Sequence, residues 1–442
     1  MQYMKSYLSV LALCIACLAL PAQTLTLTHV DQALETARKN NPELAAAQAG
    51  TQMKQGERFL AESQLYPQIT GFAAGDYNAR LPVQPVPAEI FGGAPGTYKE
   101  LRFGLPWNLN AGADLSMPLI KASQWFELSA SAAEVRIAET EAAVSAENIR
   151  IKTAQAYFSV MASAALEQQA LRRMETAAEV ARIARAKYEA GQSGEAEKIR
   201  AENLERAAAV TYNNAVLESG NALRNLQQLL QHTGLQVKDS LDVYTKNEST
   251  PLPAVSERPS LLAYTLRSRS YTQQTRARLA DFFPSLSLSG RYAYYYQSDR
   301  PFSSSTGDIT YDQAIIGARL QVPLFGGARN YGRLKQARIA AHINEWQMQN
   351  EKSRLEKEHA GIVQEQQIVR DNYRLALERE NAAADAERIS MKRYSEGLIS
   401  FTEYAETFYE HVQTGQESLQ TAARLAYIMY LPQLLKNTSD EK

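Results

Sequence analysis

The order of local signals in this chain is written twice, and that duplication constrains the fold more than any other feature. Asn41-Pro42-Glu43-Leu44 is answered by Arg258-Pro259-Ser260-Leu261, and Leu65-Tyr66-Pro67-Gln68 by Phe282-Phe283-Pro284-Ser285, both 217 residues further on. Met117-Pro118-Leu119 is answered by Val322-Pro323-Leu324 at 205, and Lys187-Tyr188-Glu189-Ala190-Gly191 by Arg393-Tyr394-Ser395-Glu396-Gly397 at 206. The order is kept and the spacing jumps once, across a Pro/Gly-rich stretch from Leu81 to Lys99 that reads as a loop. Two copies of one structural unit follow, 23–232 and 257–436, with 233–256 between them and 437–442 as a C-terminal tail.

Within each copy the hydrophobic period switches from helical to two-residue and back. Leu286, Leu288, Gly290, Tyr292 and Tyr294 alternate with Ser285, Ser287, Ser289 and Arg291, and Ala314, Ile316, Ala318 and Leu320 with Gln313, Gly317, Arg319 and Gln321. The first copy has Leu109, Ala111, Ala113 and Leu115 alternating with polar neighbours, after a weaker strand from Tyr66 to about Arg80. Each copy is predicted to hold one hairpin, 66–119 and 283–324. The aromatics Phe72, Tyr77, Trp107, Tyr294, Tyr295, Tyr296 and Tyr311 cluster toward strand ends, as in the interfacial girdles of outer-membrane barrels. Four strands cannot close a barrel, and an open edge facing lipid would leave backbone groups unpaired. The strands must therefore be shared between chains, and three chains would supply twelve.

Long helices are predicted over 120–190 and 325–395, each spanning on the order of 100 Å at about 1.5 Å per residue. The first carries two apolar seams, one through Val135, Ala138, Ala142 and Ile149, the other through Ile137, Val144, Ile151 and Phe158. Two seams suit a helix with a neighbour on each side, a stave in a tube. Shorter helices over 31–64, 195–231 and 400–435 complete the set.

The first 22 residues have the layout of a cleaved signal peptide, apolar from Tyr7 to Leu20 and ending at Pro21-Ala22. Cys14 and Cys17, the two cysteines of the chain, lie inside it, so no disulfide or thiol chemistry is expected in the mature protein. Acylation at Cys17 is the alternative fate, although the usual leucine three residues earlier is missing. A formal charge of −1 excludes a general basic field for nucleic acid. The histidines (His29, His232, His342, His359, His411) stand far apart, without metal-binding or nucleophile motifs, so neither enzyme, metal nor cofactor is expected.

Signal peptide, duplicated hairpins, long helices and the two Tyr-x-x-Gly turns together resemble the TolC-type outer-membrane efflux protein family over nearly the whole mature chain. The resemblance implies a mixed α and β membrane protein. It would be a homotrimer with a twelve-stranded transmembrane barrel, a twelve-helix periplasmic α-barrel and an equatorial belt at 233–256. It would serve as the outer-membrane exit duct of a tripartite efflux or type I secretion system. Its partners would be lipid, a periplasmic adaptor and an inner-membrane pump, proton-driven or ATP-driven. The turns at Tyr188, Gly191, Tyr394, Gly397 and Ser400 would dock the adaptor. Glu403 and Glu406, six and nine residues after the second glycine, with Glu197 six after the first, would form the pore constriction. Three copies of each carboxylate around a narrow axis would concentrate negative potential and favour cations. Glu197 and Glu403 also suit the starts of helices for the dipole alone. Where the family type has a latching arginine, this chain has Ile399, and Lys198 or Arg393 are the cations left to act beside Tyr394. A periplasmic coiled-coil or adaptor protein without a barrel is the alternative, although it would not require amphipathic strands.

Overall fold

The computed structural model describes residues 25–246, 250–300 and 307–436; the expected signal peptide and C-terminal tail lie outside them. Two compact units emerge, each drawing on both sequence copies. One comprises residues up to Thr51, Ala138–Tyr264 and Gln347 onward; the other comprises Gln52–Ile137 and Thr265–Trp346.

The second unit is organised by a four-stranded antiparallel sheet with strands β2 (Gln68–Tyr77), β5 (Trp107–Ile120), β7 (Ser285–Ser298) and β8 (Ile309–Gln321) in the order β2-β5-β7-β8. Register sorts its residues onto two faces. Ile69 opposes Leu115, which opposes Gly290, which opposes Ile316; the next rows of this face join Met117, Leu288 and Ala318, and Ala113, Tyr292 and Ala314. This apolar face is bare: Ile69 is 74% and Ile316 86% exposed. The opposite face carries Thr70, Asp114, Arg291, Ser289, Gln313 and Arg319, with Arg291 gripping Asp114 through two bonds of 2.6 and 2.8 Å. Among the described residues, both outer strands, β2 and β8, have an unpaired edge.

Two expectations change here. The stretch 81–99, read as a loop, contains strand β3 (Val83–Pro87) and a short 3₁₀ turn, and enters strand β4 (Tyr98–Arg102), which pairs with β3. Gly92 and Gly96, at φ of 76° and 81°, take the left-handed turns that let the segment double back despite its prolines. The girdle aromatics also divide: Tyr77, Trp107, Tyr294 and Tyr296 lie on the apolar face, whereas Phe72, Tyr295 and Tyr311 lie on the polar one. Consecutive strand residues point to opposite sides, so Tyr294, Tyr295 and Tyr296 cannot form one row.

Helices α3 (Ala122–Glu189) and α7 (Arg329–Ser395) are the long ones, and α4 (Glu195–Leu230) and α8 (Phe401–Leu435) follow them. The predicted helix over 31–64 is two, α1 (Val30–Asn40) and α2 (Pro42–Ser63). Pro42 lacks an N–H and holds Asn41 at an extended ψ of 122°, which ends α1. Asn41 then caps α2, its side chain accepting from the Glu43 N–H at 2.9 Å, while its amide donates to the Leu229 carbonyl.

In the first unit, strand β1 (Leu25–Leu27) pairs in parallel with β6 (Leu235–Val237), and between β6 and α6 (Pro259–Ala280) lies the short helix α5 (Leu241–Thr245). Around them Tyr157, Phe158, Leu226, Leu230, Tyr244 and Met429 form a buried core. Its polar ends are satisfied: Asp239 accepts from Tyr157 at 2.7 Å and from Tyr244 at 2.6 Å, and Tyr430 donates to Asp31. Along α7, Leu355, Ile362, Val369, Ala376 and Ala383 are buried at intervals of seven. A second sevenfold stripe, Ile368, Leu375 and Ile389 with Ala382 between, is exposed.

Candidate functional site: the glycine turns and the polar cluster beside them

The two Tyr-x-x-Gly segments end α3 and α7 in the same way. Gly191 and Gly397 take φ of 71° and 80°, conformations that a side chain would strain. This lets Gln192 N–H reach the Lys187 carbonyl and Leu398 N–H the Arg393 carbonyl, both at 2.8 Å, closing otherwise open helix ends. Ser400 then starts α8, its hydroxyl accepting from the Glu403 N–H at 3.3 Å.

The structure brings Tyr394 and Glu197 together: the phenol, fully buried, donates to the carboxylate at 2.9 Å. Burial, and then the hydrogen bond to Glu197, push the Tyr394 hydroxyl well above the ordinary tyrosine range. The cation at this tyrosine is Lys187, not Lys198 or Arg393. Lys187 donates to the Tyr394 carbonyl and sits 4.1 Å from its ring centre, whereas Lys198 lies over the Tyr188 ring at 5.0 Å. Ile399 packs against the buried cluster around Tyr394, Phe401 and Tyr404, as an apolar residue does in place of a charged one. Glu403 and Glu406 are not drawn into these contacts; both are exposed on α8. Tyr188 is partly exposed, and a side-chain carbon added at Gly191 or Gly397 would meet open space.

A second polar group, without a sequence signal of its own, lies next along the same helices. Tyr394 stacks on Tyr404 at 5.6 Å, and Tyr404 donates to Glu387. Glu387 is almost fully buried, and it also binds Arg173 at 2.7 Å and His411. Three helices thus each contribute to one buried carboxylate, which a lone buried charge would not tolerate. Burial and the nearby Glu387 charge raise the Tyr404 hydroxyl above its usual range. Among the described residues no cluster has the ligands to hold a metal ion, and no helix is long and apolar enough to cross a membrane.

A sheet with one bare apolar face, in a chain whose long helices end in matched glycine turns, defines a mixed α and β protein. Comparison narrows the class. Residues 253–426 match the outer membrane efflux protein family. Outer membrane protein TolC of Vibrio cholerae serotype O1 is 27% identical over 241 residues, 52% of this chain and 54% of that protein. The chain thus spans about half the length of the curated relative it matches. The fold is also that of the Campylobacter jejuni CmeC outer membrane channel (TM-score 0.72, 19% identity, 96% of this chain and 92% of that one). It is likewise that of the open-state Neisseria gonorrhoeae MtrE outer membrane channel (TM-score 0.73, 18% identity, 92% and 88%). The outer membrane efflux protein match thus falls on the second copy of the sequence, and the fold over nearly the whole chain is the one those channels adopt.

Proposed function

We propose that this chain is the outer-membrane exit duct of a tripartite export system, working as a homotrimer with a twelve-stranded barrel and a periplasmic tube of twelve helices. The observation that carries this reading is the four-stranded sheet with one bare apolar face, one polar face and two unpaired edges. Lipid suits the first face and water the second, and the edges are satisfied only when β8 of one copy meets β2 of the next. The exposed sevenfold stripe on α7 supports the same assembly, since a neighbouring copy's helix would bury Ile368, Leu375 and Ile389. The two sequence copies are read as a structural two-fold repeat. The turns around Tyr188, Gly191, Tyr394, Gly397 and Ser400 receive a periplasmic adaptor, which couples the duct to an inner-membrane pump. Glu403 and Glu406, with Glu197 close by and held by Tyr394, form the constriction.

Mass measurement in mild detergent, followed by planar-bilayer recording of the same particles, tests the proposal. Three chains per particle and cation-favouring conductance are expected. A monodisperse monomer with intact β-structure would sink it.

A further inference from the structure

Three aromatic rings on the polar face of the sheet are unexplained by either lipid contact or core packing. Tyr295 and Tyr311 are direct cross-strand partners of β7 and β8, stacked at 4.9 Å with only 15° between their planes. Phe72 lies on the same face, opposite Gly112 and against the Arg291 guanidinium at 5.1 Å. Otherwise this face is mostly amide, hydroxyl and charged groups, suited to water. Tyr311 is 46% exposed and lies on the edge strand, so among the described residues no further strand lies alongside it.

The charges on these rows favour one sign of ligand. Arg291 is neutralised by Asp114 in a paired contact. The row of Tyr295 and Tyr311 is completed by Asn110 and Ala74, and the next row toward the far strand ends holds Asp76, Asn108, Gln297 and Ile309. Arg319 lies four rows away in the opposite direction. Ring faces attract cations through their quadrupole, and Asp76 adds a carboxylate without a competing cation on its own row or the tyrosine row.

We infer that Tyr295 and Tyr311 form a stacking site for planar aromatic cations on the wall of the duct, with Asp76 as its electrostatic support. The inference rests on the polar face being the lumen, and deepens that reading by naming a class of solute. Stacking on a tyrosine face is sequence-tolerant and weak, which suits a site that must release what it binds for conduction to continue.

The test uses the full-length trimer in planar bilayers, with ethidium added on the side of the strands remote from the helices and tetrapropylammonium as a non-aromatic cation of equal charge. Wild type should show discrete ethidium blocks. Combined Tyr295→Leu and Tyr311→Leu should shorten their residence about tenfold while tetrapropylammonium is unaffected. Combined Tyr295→Phe and Tyr311→Phe should keep the block, and Asp76→Asn should shorten it about threefold. If the leucine pair prevents assembly, the single Tyr311→Leu change on the edge strand and Asp76→Asn carry the test. Equal ethidium residence in wild type and leucine variants, or loss of block in the phenylalanine pair, would overturn the stacking site alone. A wild type that forms no channel overturns the duct, and the site with it.

Discussion

At the scale of single residues, the core and the candidate site share a set of tyrosines whose hydroxyls have been taken out of water. Tyr157, Tyr244, Tyr394, Tyr404 and Tyr430 all have hydroxyls raised above the ordinary value of 10, by burial first and by a nearby carboxylate second. A folded-state value above the unfolded one means that the protonated form is favoured by folding. The contribution is therefore complete below pH 10 and declines as pH rises beyond it. Ultraviolet titration of the folded protein should show these phenols silent at pH 11 while exposed ones ionise, and thermal stability should fall over the same range. Titration of these five phenols together with the exposed ones in a folded sample would contradict the burial described here. The exposed Glu403 and Glu406 belong to a different experiment. Three residues apart on α8, they share a face, and replacing both by Gln is expected to weaken cation preference and multivalent-cation block in bilayers, with assembly unchanged. Wild-type selectivity in that double variant would reduce Glu403 to a favourable first-turn residue and Glu406 to a solvated one.

At the scale of elements, the strands were legible because a two-residue alternation over ten or more positions has no helical counterpart. The matched turns were legible because Tyr-x-x-Gly occurs twice in register. Misreadings arose where a local cue competed with a longer pattern. Pro42 falls inside an otherwise helical period, and its effect on Asn41 splits the helix. The prolines and glycines of 81–99 concealed a strand pair. The Glu387 cluster was unreadable for another reason: Arg173, Glu387 and His411 come from three helices, and each has an ordinary helical neighbourhood. Lys187 likewise meets Tyr394 from 207 residues away. The turns themselves can be tested as elements. Bulky Gly191→Trp and Gly397→Trp strain a left-handed position by about 1 kcal/mol each, too little to unfold helices of this length. Trimers should form while export is abolished, as measured by solute retention in cells. Unchanged export would move the adaptor contact elsewhere.

At the scale of the whole molecule, β1 lies at one end of the described chain and completes a sheet with residues 235–237, while Asp31 is held by Tyr430, 399 residues away. Leu27 and Val30 share their buried core with Met429 and Leu434. A ribosome making this chain therefore releases Asp31 399 residues before the tyrosine that holds it, and contacts of such separation form slowly. Until then the early segment lacks that partner. A version lacking everything from Ala426 onward is expected to lose order at its beginning as well as at its end. Limited proteolysis would show this as cleavage between residues 30 and 160, and persistent resistance there would mean that the early helices settle on their own. The early segments are thus the part of the chain that stays open longest during synthesis, because residues made 399 positions later are the ones that let them rest.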